Sequence, residues 1–92
     1  MLFYLVIYDI PCDRRRRKVA ALLEGYGRRV QYSAFECVLV AAKYRELLER
    51  LQRRLDLAAD NVRIYPLSGH TLGQVVVWGG VPLTEPPGST VV

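Results

Sequence analysis

The longest apolar run of the chain is its first, Leu2-Phe3-Tyr4-Leu5-Val6-Ile7-Tyr8, and it ends on the carboxylate of Asp9. A run of strand length, rich in β-branched and aromatic side chains, predicts a strand covered on both faces. Ile10-Pro11 stops regular pairing, because proline has no N–H, and Asp13 is a good N-cap for a basic helix. Val19, Leu22, Leu23 and Tyr26 then recur at helical spacing and predict that helix from about Asp13 to Tyr26, with Gly27 placed to end it.

Val30-Gln31-Tyr32 predicts a short strand, and a chain reversal near Ser33 makes it the antiparallel neighbour of the next, Phe35 to Val40. A second helix carries Tyr44, Leu47, Leu48, Leu51 and Leu55 on one stripe. On its outer face Glu46 with Arg50, and Glu49 with Arg53, are spaced as i, i+4 ion pairs, which predicts a nearly self-neutralising surface with some positive surplus at Arg53-Arg54. Asn61 to Leu67 reads as a strand closed by Pro66, Ser68 to Gly73 as a loop, and Gln74 to Trp78 as a short apolar strand that needs a sheet edge.

Strand, helix, strand, strand, helix, strand is the ferredoxin-like order. The expected fold is therefore α+β, a ferredoxin-like βαββαβ sandwich with an extra C-terminal strand. Residues 1–80 make the domain, and residues 81–92, with Pro86-Pro87-Gly88 among them, make a flexible C-terminal tail. Both helices cover one face of such a sheet, yet the first strand is apolar at both parities. An exposed apolar face marks an interface, which predicts a homodimer through the open sheet faces.

Charge sharpens the picture. In 92 residues the formal charge is +4, and Arg14, Arg15, Arg16, Arg17 and Lys18 are consecutive, with Arg28 and Arg29 just beyond the helix. Cations at a helix N-terminus oppose the macrodipole, a local cost of up to about 1 kcal/mol that folding does not motivate. A polyanion is the partner this implies. Cys12 and Cys37 form no C-x-x-C pair, so they read as reduced thiols of a cytoplasmic protein. The N-terminal run is too short to span a bilayer and lacks a basic leader, and lone His70 builds no zinc site with two distant cysteines.

Four ordered stretches carry a family likeness: Tyr8-Asp9-Ile10, the Asp13-Arg-Arg-Arg-Arg-Lys-Val helix start, Arg29 to Glu36, and Asn61 to Leu67. Together, over roughly residues 2 to 78, they resemble the CRISPR-associated protein 2 family, the small subunit of the machinery that adds spacers to CRISPR arrays. The resemblance implies a ferredoxin-like homodimer whose final strand packs on the partner's sheet. It implies a metal-dependent endonuclease acting on RNA or DNA, and a DNA-binding scaffold between dimers of the integrase CRISPR-associated protein 1. By the same resemblance Asp9 is the catalytic and metal-binding carboxylate, with Mg2+ or another divalent cation as cofactor and Tyr8, Ser33 and Phe35 in support. The family's basic positions fall on Arg16, Lys18 and Arg29, and with Arg14, Arg15, Arg17 and Arg28 of the charge run they make the expected nucleic-acid-binding surface. Pro11-Cys12 departs from the small polar residues usual in the family.

Taken without the likeness, Asp9 is a turn acid able to bond the N–H groups after it, Glu36 is a partner for Arg29 or another cation, and Phe35 is a core residue. Three function classes are compatible with these residues to different degrees. An endonuclease needs Asp9, a divalent ion and a dimer that brings a second Asp9 to the dyad. A structural nucleic-acid-binding adaptor needs only the dimer, the basic surface and a docking face for the integrase, and the excess of bases over acids favours it. A small-ligand regulatory domain of the same fold would replace Arg14 to Arg17 by neutral residues, which is not the case here.

Overall fold

The computed structural model describes residues 1–86. Its elements are β1 (Leu2–Asp9), α1 (Asp13–Glu24), β2 (Arg28–Gln31), β3 (Ala34–Leu39), α2 (Ala41–Gln52), β4 (Asn61–Leu67) and α3 (Gly69–Leu72). The strands form one antiparallel sheet in the order β2-β3-β1-β4, the ferredoxin-like arrangement. No helix among the described residues is long and apolar enough to cross a membrane.

β1 is central, so its apolar run is used at both parities. Val6 lies opposite Phe35 on one side and Ile64 on the other. With Tyr4, Tyr8 and Cys37 these residues face the helices, where Val19, Leu22 and Leu23 of α1 and Leu47 and Leu51 of α2 close the core. Each such side chain, fully buried, contributes about 1.5–3 kcal/mol. Tyr44 stacks on Tyr4 with ring centroids 3.9 Å apart and fastens α2 to the sheet. The opposite parity, with Phe3, Leu5, Ile7, Val38 and Tyr65, lies on the face that α1 and α2 leave open. α3 packs against β1 and β4.

Several boundaries differ from the sequence expectation, each for a local reason. The N-cap is Cys12, with extended backbone, and Asp13 is the first helical residue, where its charge suits the positive end of the macrodipole. α1 stops at Glu24 because the N–H groups of Tyr26 and Gly27 both turn back to the Leu23 carbonyl. Gly27 thus has a different duty from ending the helix. A Cβ there would strike the Glu36 carbonyl and the Cys37 Sγ, so glycine permits β3 to come close. β2 consequently starts at Arg28, carries an irregularity between Arg29 and Gln31, and turns at Tyr32-Ser33.

The ion pairs expected along α2 do not form among the described residues. Glu46 accepts from the Tyr26 hydroxyl, just beyond α1, and from Lys43, while Arg50 Nη1 donates to the same hydroxyl at 2.9 Å. Glu36 likewise pairs with no cation among the described residues. Its Oε1 accepts from Thr84 N at 3.0 Å and Thr84 Oγ1 at 2.8 Å, which ties the chain after the domain to β3. The tail expected over residues 81–92 therefore includes one anchored position, and its residues 87–92 lie outside the described residues.

The loop expected at 68–73 contains α3, capped by Ser68, whose Oγ accepts from Thr71 N at 3.2 Å. Residues 74–78, expected as an extra strand, join no ladder in the single chain. A strand exists by pairing, and these residues pair with none, although Val76 to Trp78 share a concavity with Val30 and Gln31 of the edge strand β2. Val76 and Trp78 are accordingly 71% and 92% exposed.

Candidate nucleic-acid interface and carboxylate site

The end of β1 gathers most of the residues singled out by sequence. Asp9 is the last residue of the strand, opposite Asn61, with Pro11 two positions on. Tyr8 is locked in place: its N–H donates to the Ser33 carbonyl at 3.1 Å and its hydroxyl to the Tyr32 carbonyl at 3.3 Å. Its ring lies 6.3 Å from that of Phe35, and the Arg29 guanidinium sits over the Phe35 ring at 5.3 Å. Tyr8, Ser33, Phe35 and Arg29 are thus one packed group that fixes the residue before Asp9. Phe35 is wholly buried, so it supports the site from the core and offers no face to a base.

Asp9 itself is exposed, and its carboxylate accepts no hydrogen bond among the described residues. The turn-acid role is therefore not realised. Magnesium is typically held by one or two carboxylates completed by water and phosphate oxygens, so a free carboxylate at a strand end suits one ligand position. No group of three or more His, Cys, Asp or Glu side chains able to hold a metal stands together among the described residues.

The seven cations divide into two kinds. Arg15 is committed to Asp60, with Nε to Oδ2 at 2.8 Å and Nη2 to Oδ1 at 3.0 Å, and the Asp60 side chain is fully covered. Asp60 also accepts from the Asp56 N–H, and the Arg15 bonds hold its carboxyl below the usual carboxylate range despite burial. Arg16 braces the turn, donating Nη1 to the Ile10 carbonyl at 3.0 Å and Nη2 to Asp13. Arg14, Arg17, Lys18, Arg28 and Arg29 are exposed and make no ion pair among the described residues.

Asp60 was not found by sequence reasoning. It lies 45 positions from Arg15, and nothing in local spacing links the two. Cys12, half-exposed beside these cations, has its thiol lowered by the backbone N–H groups of Arg15 and Arg14, whereas burial pushes the Cys37 thiol up to about 11.

Known proteins are similar to this chain in sequence and fold. The family model described as CRISPR associated protein Cas2 matches residues 1–75. The CRISPR-associated endoribonuclease Cas2 3 of Synechocystis is 59% identical over 92 residues, the whole of both chains. The CRISPR-associated endonuclease Cas2 2 of Thermus thermophilus is 51% identical over 82 residues, 89% of this chain and 87% of that one. A chain of a solved partial Cas6-RT-Cas1–Cas2 complex superposes with a TM-score of 0.79 at 30% identity, covering 100% of both. This chain therefore belongs to the CRISPR-associated protein Cas2 family.

Proposed function

We propose that the protein is a dimeric, nucleic-acid-binding subunit of CRISPR adaptation that holds duplex DNA for a Cas1 integrase. The observation that carries this reading is the set of five exposed cations, Arg14, Arg17, Lys18, Arg28 and Arg29, none in an ion pair among the described residues. Clustered free guanidinium groups are suited to phosphate, and each phosphate contact steepens the salt dependence by about 0.9 in log–log slope. Tyr32 is a single exposed ring beside them and no row of exposed aromatics accompanies them among the described residues, so the duplex is held chiefly by its backbone and shape. The Cas1–Cas2 assembly of a structural relative supports the integrase as partner.

The dimer uses the open sheet face, where Leu5, Ile7, Val38 and Leu67 remain half-exposed. A second copy covers them and gives Val75 to Trp78 a strand to pair with. In filter binding, Arg14→Gln with Arg17→Gln weakens duplex affinity and flattens its salt slope by about 1.8. Unchanged affinity and slope in a folded variant would remove these cations from the interface.

A second reading, a divalent-metal-dependent endonuclease, is favoured by the free Asp9 carboxylate and by relatives named endoribonuclease and endonuclease. Magnesium, when bound, would activate the attacking water and offset developing charge. The chain's part is to present Asp9 on a strand end stiffened by Tyr8 and Ser33, and to hold the RNA or DNA phosphate by the nearby arginines. Two Asp9 carboxylates at the dimer dyad would complete the acid pair. Cleavage of RNA and of duplex DNA by wild type and Asp9→Asn, with and without Mg2+, tests it.

A further inference from the structure

The helical layer carries a basic surface larger than the positive surplus that the sequence predicts at Arg53-Arg54. Two concavities of about 530 and 360 Å³ lie along the seam between α1 and α2 and share Lys18, Arg53 and Arg54 in their walls. Arg50 joins one of them and Arg14 the other. Neither is lined by a carboxylate or by an aromatic ring. Lys18 and Arg14 are one helical turn apart on α1, and Arg50 and Arg54 are spaced alike at the end of α2, so two rows of cations face one another over a floor that includes Ala21 and Leu22.

The reason is the missing pairing along α2. Glu46 is turned to Tyr26 and Lys43, and Glu49 makes no ion pair with Arg53 among the described residues. Arg54 Nη1 donates to the Arg50 carbonyl at 2.8 Å, which anchors its stem at the end of the helix. Like charges brought together across a cleft repel, and a bound polyanion relieves that repulsion.

We infer that the α1–α2 seam, with Arg53 and Arg54 as its α2 wall, is a further phosphate-backbone track for duplex DNA, continuing the one formed by the free cations of α1 and β2. The inference rests on the nucleic-acid reading and extends it to α2. The track takes backbone and not bases, because its walls, apart from the Cys12 thiol, are basic or aliphatic and hold no aromatic ring. It lies on the helical side of the sheet, so a second copy seated on the open face leaves it accessible. A duplex held at α1 then continues along the outside of the molecule.

The test is binding of a mixed-sequence DNA duplex by the whole protein across a salt series, comparing wild type, Arg53→Gln/Arg54→Gln, Arg53→Lys/Arg54→Lys, and Arg28→Gln/Arg29→Gln. The glutamine pair at 53 and 54 should lower affinity and reduce the salt slope by about 1.8, while the lysine pair, which keeps the charge, binds nearly as wild type. An unaltered affinity and slope for the glutamine pair, with the Arg28/Arg29 variant impaired, would overturn the seam alone. If both glutamine variants bind like wild type, the nucleic-acid reading falls with it. Equal loss in the lysine and glutamine pairs, with unchanged salt slope, would also overturn the track, since the effect would then be structural.

Discussion

Arg15 and Asp60 are joined by two parallel hydrogen bonds of 2.8 and 3.0 Å, between the first turn of α1 and the residue preceding β4. One arginine of an outwardly uniform basic run is thus a fastening of the fold, while Arg14 and Arg17 make no ion pair among the described residues. The pair is planar and two-pronged, which lysine cannot reproduce.

That pair makes stability depend on pH. Asp60 has its folded-state pKa depressed by Arg15, so its contribution is complete above the unfolded carboxylate range, near 4, and is lost as pH falls through the lower folded value. Thermal melts of wild type should fall in midpoint through the acid range, and Asp60→Asn should melt lower at neutral pH with a shallower acid decline. Parallel curves for the two proteins would show that Asp60 carries none of it.

Gly27 supplies a second prediction. A methyl group there meets the Glu36 carbonyl and the Cys37 sulfur, both in the seam between α1 and β3. Gly27→Ala should destabilise by about 1–3 kcal/mol, and each kcal/mol lowers the melting midpoint of a domain this size by about 4–8 °C. Gly69→Ala, where nothing stands within 4 Å, is the control.

The two thiols should separate cleanly. Cys12 is half-exposed with its thiol lowered, and Cys37 is buried with its thiol raised to about 11. Iodoacetamide at neutral pH should modify Cys12 well before Cys37 in the native protein, as read by peptide mass spectrometry. Equal rates would show that the β3 thiol is open to solvent.

Trp78, the sole tryptophan, is a probe of the proposed dimer. It is 92% exposed in the single chain, so its emission should shift to shorter wavelength as protein concentration carries the chain into the dimer. Trp78→Ala should weaken association in sedimentation equilibrium.

The fold was largely legible because periodicity and punctuation agreed: a two-faced apolar β1, a helical stripe at Val19, Leu22 and Leu23, and Pro11 at the turn all point to one topology. What was hidden depends on contacts between distant positions. Gly27 looked like a helix terminator because its approach to β3 has no local sign. The i, i+4 spacing of Glu46 and Arg50 suggested a pair, but the Tyr26 hydroxyl across the α1–α2 seam engages both. Of the candidate site, Asp9 and the arginine run were visible as residue types. Which arginines are free was not, since that depends on Asp60, Asp13 and the Ile10 carbonyl.

Spacer integration reconstituted with the cognate Cas1 integrase is the most direct test of the scaffold role, comparing wild type, Asp9→Asn and Arg14→Gln/Arg17→Gln, with nuclease activity followed in the same preparations. A scaffold that works through its cations predicts integration at the wild-type level for Asp9→Asn, whatever happens to cleavage, and a severe loss for the arginine pair. Loss of integration in a folded, dimeric Asp9→Asn protein, with the arginine pair still active, would contradict it.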